Sequence, residues 1–395
     1  MTAETDTVAP VLRLTPSDEE VAIRDAVRKI CAKYPEDHMR QSAERGESMQ
    51  DVWADLAAGG FVGLNIPEEW GGGGMGMSGL ILVGEETTRA AKGSVMLVVS
   101  SAIAGSVLAR HATDEQKRRW LRGVAEGTTK VAFAITEPDA GSNAHNLRTE
   151  LRREGDRYVL NGQKTFISGV ESADAILVVA RLRDTNDQLA QPVLCIVDAT
   201  APGLRRGTIA MPFIGADQQS QVFFDGVEVA EERLIGGENG GMTAVFDGLN
   251  PERVIIASLM IGNGLRALDK AAQYARERTV WSTPIGAHQG VAHPLAEAKI
   301  ELELARLMTQ KAAALIDAGS PGAGEAANMA KYAAAEASIK CVDQAIQTHG
   351  GNGFTIEYGI SDLWWFARLM RTAPVSREMV LNYVAQHSLK LPRSY

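Results

Sequence analysis

The sequence predicts an α+β protein, mostly helical, ordered as a helical part, a small β domain and a second helical part. Three observations predict it. Up to about residue 128, apolar residues recur at three- and four-residue steps; from Lys130 to Glu232 they fall in short runs of period two; after Gly236-Gly237 the chain returns to long helices rich in Ala, Leu, Glu and Lys. No βαβ alternation is present, which excludes a doubly wound sheet. The implied domains are 1–128, 129–235 and 236–395.

In the first part, Ser17-Asp18-Glu19-Glu20 has capping-box spacing, and Ile23, Val27, Ile30 and Tyr34 follow on one helical face. Further helices are expected over Met49–Ala58, Ser78–Ala91, Ser94–Ala109 and Asp114–Gly123. Gly71 to Gly74 forbid regular structure between two of them. In the middle part, strands are expected at Val131–Ile135, Ala175–Ala180, Val193–Val197 and Val222–Val229. Asn161-Gly162, between Tyr158–Leu160 and Thr165–Ile167, reads as a hairpin turn. In the last part, Asn250-Pro251 reads as the N-cap and first residue of a helix reaching about Arg278. Others are expected over Ala292–Ala318, Gly324–His349 and Ser376–Ser388.

A chain of 395 residues with 45% hydrophobic and 23% charged residues is ordinary globular material for two or three domains. Its net charge of −9 repels phosphate backbones and anionic lipid, against nucleic acid or a membrane as partner. Cys31, Cys195 and Cys341 are far apart, so neither a disulfide framework nor a metal site is indicated. The polar N-terminus lacks signal-peptide features and no apolar run is long enough to span a bilayer, so the expectation is a cytoplasmic protein with a frayed first dozen residues. Glu85, Glu86, Asp114 and Glu115 lie on helix faces and are expected to be solvated.

The most informative stretch is AFAITEPDAGSN, Ala132 to Asn143. A short strand breaks at Pro138 into a loop offering free backbone N–H groups, the Thr136 and Ser142 hydroxyls, and Gly141, where a ligand can approach the backbone. An ordinary surface turn has the same ingredients.

Three further segments add specificity: NGQKTFISG (Asn161–Gly169), ARERTVWSTPIGAHQ (Ala275–Gln289) and QTHGGNGF (Gln347–Phe354). With the loop, in this order and roughly this spacing, they resemble the motifs of the acyl-CoA dehydrogenase family over nearly the whole chain. The resemblance implies an N-terminal helical domain, a central β-barrel-like domain and a C-terminal four-helix bundle, assembled as a homodimer or homotetramer. It also implies FAD, held at a subunit interface. Phe133, Ile135, Thr136, Gly141 and Ser142 would contact the ring and pyrophosphate, with Phe166, Ile167 and Ser168 packing on the flavin. Arg278, Trp281, Gln289, Gln347, Gly350, Gly351 and Ser376 would complete the cofactor site, several of them from a neighbouring subunit. The physics fits: Arg278 is a fixed planar charge for a pyrophosphate, and Gly350-Gly351 lets N–H groups approach it. As plain structure, Arg278 is a surface cation near a helix end and Gly350-Gly351 a helix C-cap. Asn143 replaces the family's usual aspartate, and Phe166 its usual tryptophan.

Desaturating a thioester requires a base for the proton α to the carbonyl. Most family members carry a glutamate beyond the glycine turn, where this chain has Ala373-Pro374-Val375-Ser376. A subset carries it on the long helix after the β domain, and Glu252 of Asn250-Pro251-Glu252-Arg253 falls there. Glu252 is thus the candidate base and Glu378 the reserve; the plain alternative for Glu252 is an acidic residue complementing a helix N-terminus. Ser142, Leu249 and Arg253 are the candidate substrate contacts, Arg253 alternatively serving a surface ion pair. The implied reaction is α,β-dehydrogenation of an acyl-CoA to a 2,3-enoyl-CoA in lipid metabolism, with electrons passing to an electron-transfer flavoprotein. Competing readings are a flavin oxidase or monooxygenase-like enzyme, and a flavin-bearing DNA-binding protein, the latter opposed by the acidic charge.

Overall fold

The computed structural model describes residues 15–183, 189–211, 215, 217–238 and 240–393. The first dozen residues, expected to be frayed, lie outside them. Helices α1 (Asp18–Cys31), α2 (His38–Glu44), α3 (Gln50–Ala58) and α4 (Gly76–Arg89) open the chain. A π-helical stretch, Leu97–Ala104, runs into α5 (Gly105–His111), and α6 (Asp114–Gln116), Lys117–Leu121 and α7 (Arg122–Glu126) follow as one further rod. The capping box at Ser17 forms as expected: its hydroxyl accepts from the Glu20 N–H while Glu20 accepts from Ser17 N–H.

Glu85 and Glu86 are not solvated. They are 4% and 2% exposed, and Arg24 and Arg28 of α1 and Arg306 of a later helix close on them at 2.6–2.8 Å. Period within α4 does not reveal cations arriving from two other helices.

The middle of the chain forms one mixed sheet. Its strands are β1 (Val131–Ala134), β2 (Glu150–Glu154), β3 (Arg157–Ser168), β4 (Ala175–Arg183), β5 (Leu189–Asp198), β6 (Leu204–Ile209), β7 (Gln219–Ala230) and β8 (Leu234–Ile235), ordered β6-β7-β3-β2-β4-β5-β8 with β1 also on β4. Residues of β1 to β5, β7 and β8 share one apolar cluster, so the sheet wraps a single core.

Asn161-Gly162 is not the hairpin turn. The turn between β2 and β3 is Gly155-Asp156, where Gly155 supplies the positive φ of +68°; Asn161-Gly162 sits inside β3 as a bulge opposite β7. Gly162 is needed because a Cβ there would lie 2.7 Å from Thr149 Cα. The Asn161 side chain accepts from Gly226 N–H across the bulge.

Nor does a helix begin at Asn250-Pro251. Helix α8 runs unbroken from Gly241 to Glu277, 37 residues, with Pro251 in its interior. Apolar contact overrides the local start signal: Ala244, Val245 and Gly248 are buried, and Gly248 packs against Ile103 and Val107. A two-residue hairpin, β9 (Thr279–Val280) with β10 (Thr283–Pro284), leads to α9 (Gln289–Asp317), α10 (Ala323–His349), α11 (Ile360–Thr372) and α12 (Arg377–Tyr383). Helices α8 to α11 pack together as the C-terminal bundle. Among the described residues, none of the helices is long and apolar enough to cross a membrane.

Helices α4 and α8 cross at backbone contact. A Cβ on Gly262 would meet Glu85 O at 2.3 Å and Arg89 N at 3.0 Å. Gly262→Ala is therefore expected to cost about 2–3 kcal/mol in denaturant unfolding, whereas Gly290→Ala, with no atom within 4 Å of its Cβ, leaves stability unchanged or slightly higher. Equal stability of the two variants would refute the close crossing.

Candidate active site

The site's first wall comes from one sheet edge used twice. Both β1 and β2 pair parallel with β4, β1 against Ala175–Val178 and β2 against Arg181–Arg183. The chain leaves that edge at Ile135 and returns at Glu150, so the intervening residues, including Gly141 and Ser142, stand out as a loop.

Its neck is clamped. Glu137, 5% exposed, accepts from the N–H groups of Arg148 and Thr149 at 2.7 and 2.9 Å, and from Lys164 Nζ at 2.8 Å. Lys164 Nζ also donates to Ile135 O, and Thr165 N–H to Thr136 O. Burial works to raise the Glu137 pKa, but attraction to Lys164 and the bonds from Thr149 and Arg148 outweigh it and hold the carboxyl low. Burial pulls Lys164 down to about 8 despite Glu137, so the pair is ionised at neutral pH. Glu137 is thereby committed to the loop.

The clamp sets β3 beside the loop, and β3 then turns an aromatic outward. Phe166 is 57% exposed with φ +56°, a conformation a bulky residue adopts only where its surroundings impose it, here a register shift between Lys164 and Ile167. Ser168 Oγ accepts from Gln219 Nε2 at 2.7 Å. Phe133 and Ile167, by contrast, have side chains buried in apolar cores, so a ligand meets those positions through backbone alone. Ile135 and Thr136 are half-buried, and Gly141 has open space where a Cβ would be.

A second wall lies at the far end of the C-terminal bundle. Trp281, at the β9–β10 turn, is 93% exposed and also has φ +56°. Arg278 and Gln289 are exposed beside it, as are Gln347, Gly350 and Gly351 at the end of α10. Tyr274 stacks on buried His349 at 4.4 Å and accepts from the Asn352 side chain, bringing the two helix ends together. Gly350 is also the α10 C-cap, at φ +58°, with open space where a Cβ would be.

Glu252 belongs to a third place. Three turns into α8, it is half-buried and away from the helix N-terminus, so the dipole that would weaken a first-turn base is absent. Burial pushes its carboxyl up to about 7, against Arg253 and Lys331. Arg253 Nη1 bonds Asn250 Oδ1 at 2.8 Å rather than joining a surface ion pair. Leu249 packs on the main core, and Ser376 caps α12 by accepting from Met379 N–H. Lys331, 1% exposed on α10, donates to Val375 O at 2.5 Å and so holds the 373–376 segment against α10. Glu378 is exposed beside Arg377.

A cavity of about 390 Å³ lies against α8, lined by apolar Ile256, Leu259 and Phe366 and by charged Asp217, Arg266 and Lys270, with Gln219, the partner of Ser168, also on its wall. Ile256 is one helical turn from Glu252. Sequence reasoning missed Lys164, Gln219 and Lys331. The β3 bulge shifts register, so alternation does not show Lys164 facing inward; Lys331 was legible as the one cation on the stripe Ala327, Ala330, Ala334 and Ala335, all of which are buried. No cluster of three or more His, Cys, Asp or Glu among the described residues is arranged for a metal ion.

Three family models cover this architecture: the acyl-CoA dehydrogenase N-terminal domain over residues 17–128, the middle domain over 132–227 and the C-terminal domain over 239–389. The chain belongs to the acyl-CoA dehydrogenase family. It is 51% identical over 380 residues to acyl-CoA dehydrogenase FadE12 of Mycobacterium tuberculosis, covering 96% of this chain and 98% of that one. It is 33% identical over 346 residues to the caffeyl-CoA reductase-Etf complex subunit CarC of Acetobacterium woodii, covering 86% and 90%. A glutaryl-coenzyme A dehydrogenase solved with glutaryl-CoA superposes with a TM-score of 0.90 at 27% identity, covering 97% and 98%. The protein is an oxidoreductase of this family.

Lys164→Met would leave Glu137 buried without its counter-charge. The expected cost is about 3 kcal/mol at pH 7, read by denaturant unfolding. It should shrink in acid, because a carboxyl held low contributes its stability above its unfolded pKa and loses it as pH falls through the folded value. A pH-independent loss would rule out the clamp as drawn.

Proposed function

We propose that this protein removes the α-proton of an acyl-CoA thioester with Glu252 and yields the 2,3-enoyl-CoA, in the branch of the family whose base sits on the long helix. The observation that carries the reading is the Glu252 carboxyl, raised to about 7 by burial on α8, one turn from Ile256, which lines a cavity of mixed apolar and charged walls. A carboxylate tuned near neutral pH is both ionised and basic enough to take a carbon-bound proton. Position 374, where the usual base would stand, is proline.

The cofactor is FAD, and the walls suit it. Phe166 offers an exposed aromatic face for the ring, and Ser168 with Gln219 supplies polar atoms beside it. The exposed Arg278 and the open Gly350-Gly351 backbone suit a pyrophosphate. When bound, FAD supplies the acceptor for the hydride that leaves Cβ. The cavity takes the acyl group and excludes water from the reacting carbons, while Arg253 and Ser142 approach the CoA portion. An electron-transfer flavoprotein is the proposed acceptor, supported by the likeness to a subunit of an Etf complex.

Arg278 lies 26 residues beyond Glu252, at the end of the same helix, about 39 Å away at 1.5 Å per residue. That exceeds the reach of one FAD. Arg278, Trp281 and Gln289 therefore serve the flavin of another copy, and the active unit is a homodimer or a homotetramer built from such pairs. An exposed apolar stripe on α9, Ile300, Leu304 and Leu307, offers contact area for a further copy.

Two experiments test this. Glu252→Gln with FAD bound, mixed anaerobically with acyl-CoA, should bleach its flavin about a thousandfold more slowly, while the wild-type rate rises with pH through about 7. Bleaching at the wild-type rate would exclude Glu252. Because folding raises this carboxyl from 4.5 to about 7, its ionisation destabilises the fold as pH rises through that window. The Gln variant should thus melt higher than wild type at pH 8 and equally near pH 4. Separately, co-expressing Glu252→Gln and Arg278→Glu chains, each inactive alone, should restore roughly a quarter of wild-type activity, the share of intact sites from random pairing. Activity no higher than either parent would refute the shared site.

A further inference from the structure

We propose that Asn263 is a specificity-determining residue of this reaction: its side-chain carbonyl receives a hydroxyl carried at the far end of a long acyl chain, so that the substrate class is ω-hydroxyacyl-CoA thioesters. The inference rests on the reading of Glu252 as the base, because Glu252 fixes where the reacting carbons lie.

From α8 the cavity is lined by Ile256, Leu259, Asn263, Arg266 and Lys270. At about 3.6 residues per turn these positions share one stripe of the helix, and Glu252 stands at its head. The cavity therefore runs along α8 away from the base. Asn263 lies eleven residues beyond Glu252, about 16 Å along the axis. An extended chain advances about 1.2 Å per bond, so an acyl group with its Cα at Glu252 brings the carbon about fourteen bonds further on level with Asn263. Leu363, Phe366 and Met370 of α11 add apolar wall for the methylenes between.

Asn263 is 2% exposed, and its Nδ2 donates to Ser338 Oγ at 3.1 Å and to Leu363 O at 3.2 Å. A backbone carbonyl can only accept, so Leu363 fixes which way the amide points. Both of its hydrogens are engaged, and among the described residues no donor reaches Oδ1. An acceptor buried without a partner is costly, and a donor on the cavity's occupant removes that cost.

The neighbouring charges select the donor. Arg266 and Lys270 are both 2.6 Å from Glu36, and Arg40 pairs with Asp362. A carboxylate at the end of the acyl chain would offer Oδ1 no hydrogen and find those cations already engaged. An ammonium would meet Arg266 and Lys270 as like charges. A hydroxyl donates to Oδ1 and brings no charge.

The test gives the FAD-loaded enzyme butanoyl-, hexadecanoyl-, ω-hydroxyhexadecanoyl- and hexadecanedioyl-CoA, and reads anaerobic flavin bleaching together with kcat/KM on an artificial electron acceptor. The ω-hydroxy thioester should exceed hexadecanoyl-CoA about tenfold in kcat/KM. The difference should fall in KM, since the hydroxyl lies far from the reacting carbons; the other two should rank below both. Asn263→Leu should bring the ratio of ω-hydroxyhexadecanoyl- to hexadecanoyl-CoA to about one. That ratio is taken on one enzyme, so a loss of fold or flavin that lowers both activities leaves it unmoved. Equal use of the two by the wild type, a preference for hexadecanedioyl- or butanoyl-CoA, or an ω-hydroxy preference that survives in Asn263→Leu would each overturn the proposal while leaving the base assignment standing. If Glu252→Gln bleaches as fast as wild type, the base assignment fails and this proposal with it.

Discussion

The length and stiffness of α8 constrain everything else. A helix of 37 residues spans about 55 Å, and it carries Glu252 three turns in from its start, with Arg278 just past its end. Its middle is locked by glycine contacts against α4 and by packing against α9 and α10. In the proposed roles of base and pyrophosphate contact, Glu252 and Arg278 are too far apart to meet at one cofactor in one chain. The proposed sharing of the site between copies rests on this helix geometry, with Trp281 exposed just beyond the far end of α8 and Phe166 exposed on β3.

The β domain solves a different problem, holding a long loop still. By giving β1 and β2 successive lengths of the same β4 edge, the sheet anchors both ends of the loop. The Glu137–Lys164 pair closes the neck, and the same lysine belongs to β3, so the loop and β3 are positioned by one contact. The bulges in β3 carry the strain that turns Phe166 outward.

The buried charges divide by what surrounds them. Glu85, Glu86 and Glu137 each meet cations at hydrogen-bond distance; they fasten elements together. Glu252 and Lys331 make no ion pair among the described residues, and burial pushes the first up to about 7 and the second down to about 8. Such shifts cost stability and leave both groups closer to physiological pH.

Periodicity sufficed for the helical, β, helical order, because each element's apolar face is written locally, and four short motifs sufficed for the family. Element starts were less legible. Asn250-Pro251 has every local mark of a helix start, and Asn161-Gly162 of a hairpin, yet packing of Gly248 on Ile103 and of Gly162 on Thr149 overrides both. The consequence reaches the chemistry, since moving the helix start upstream removes Glu252 from the dipole and leaves burial to set its pKa. The sequence alone therefore determined the order of the domains and which residues carry the family's motifs. Only the tertiary structure decided what surrounds each charge, because burial and counter-ions come from helices and strands tens to hundreds of residues away.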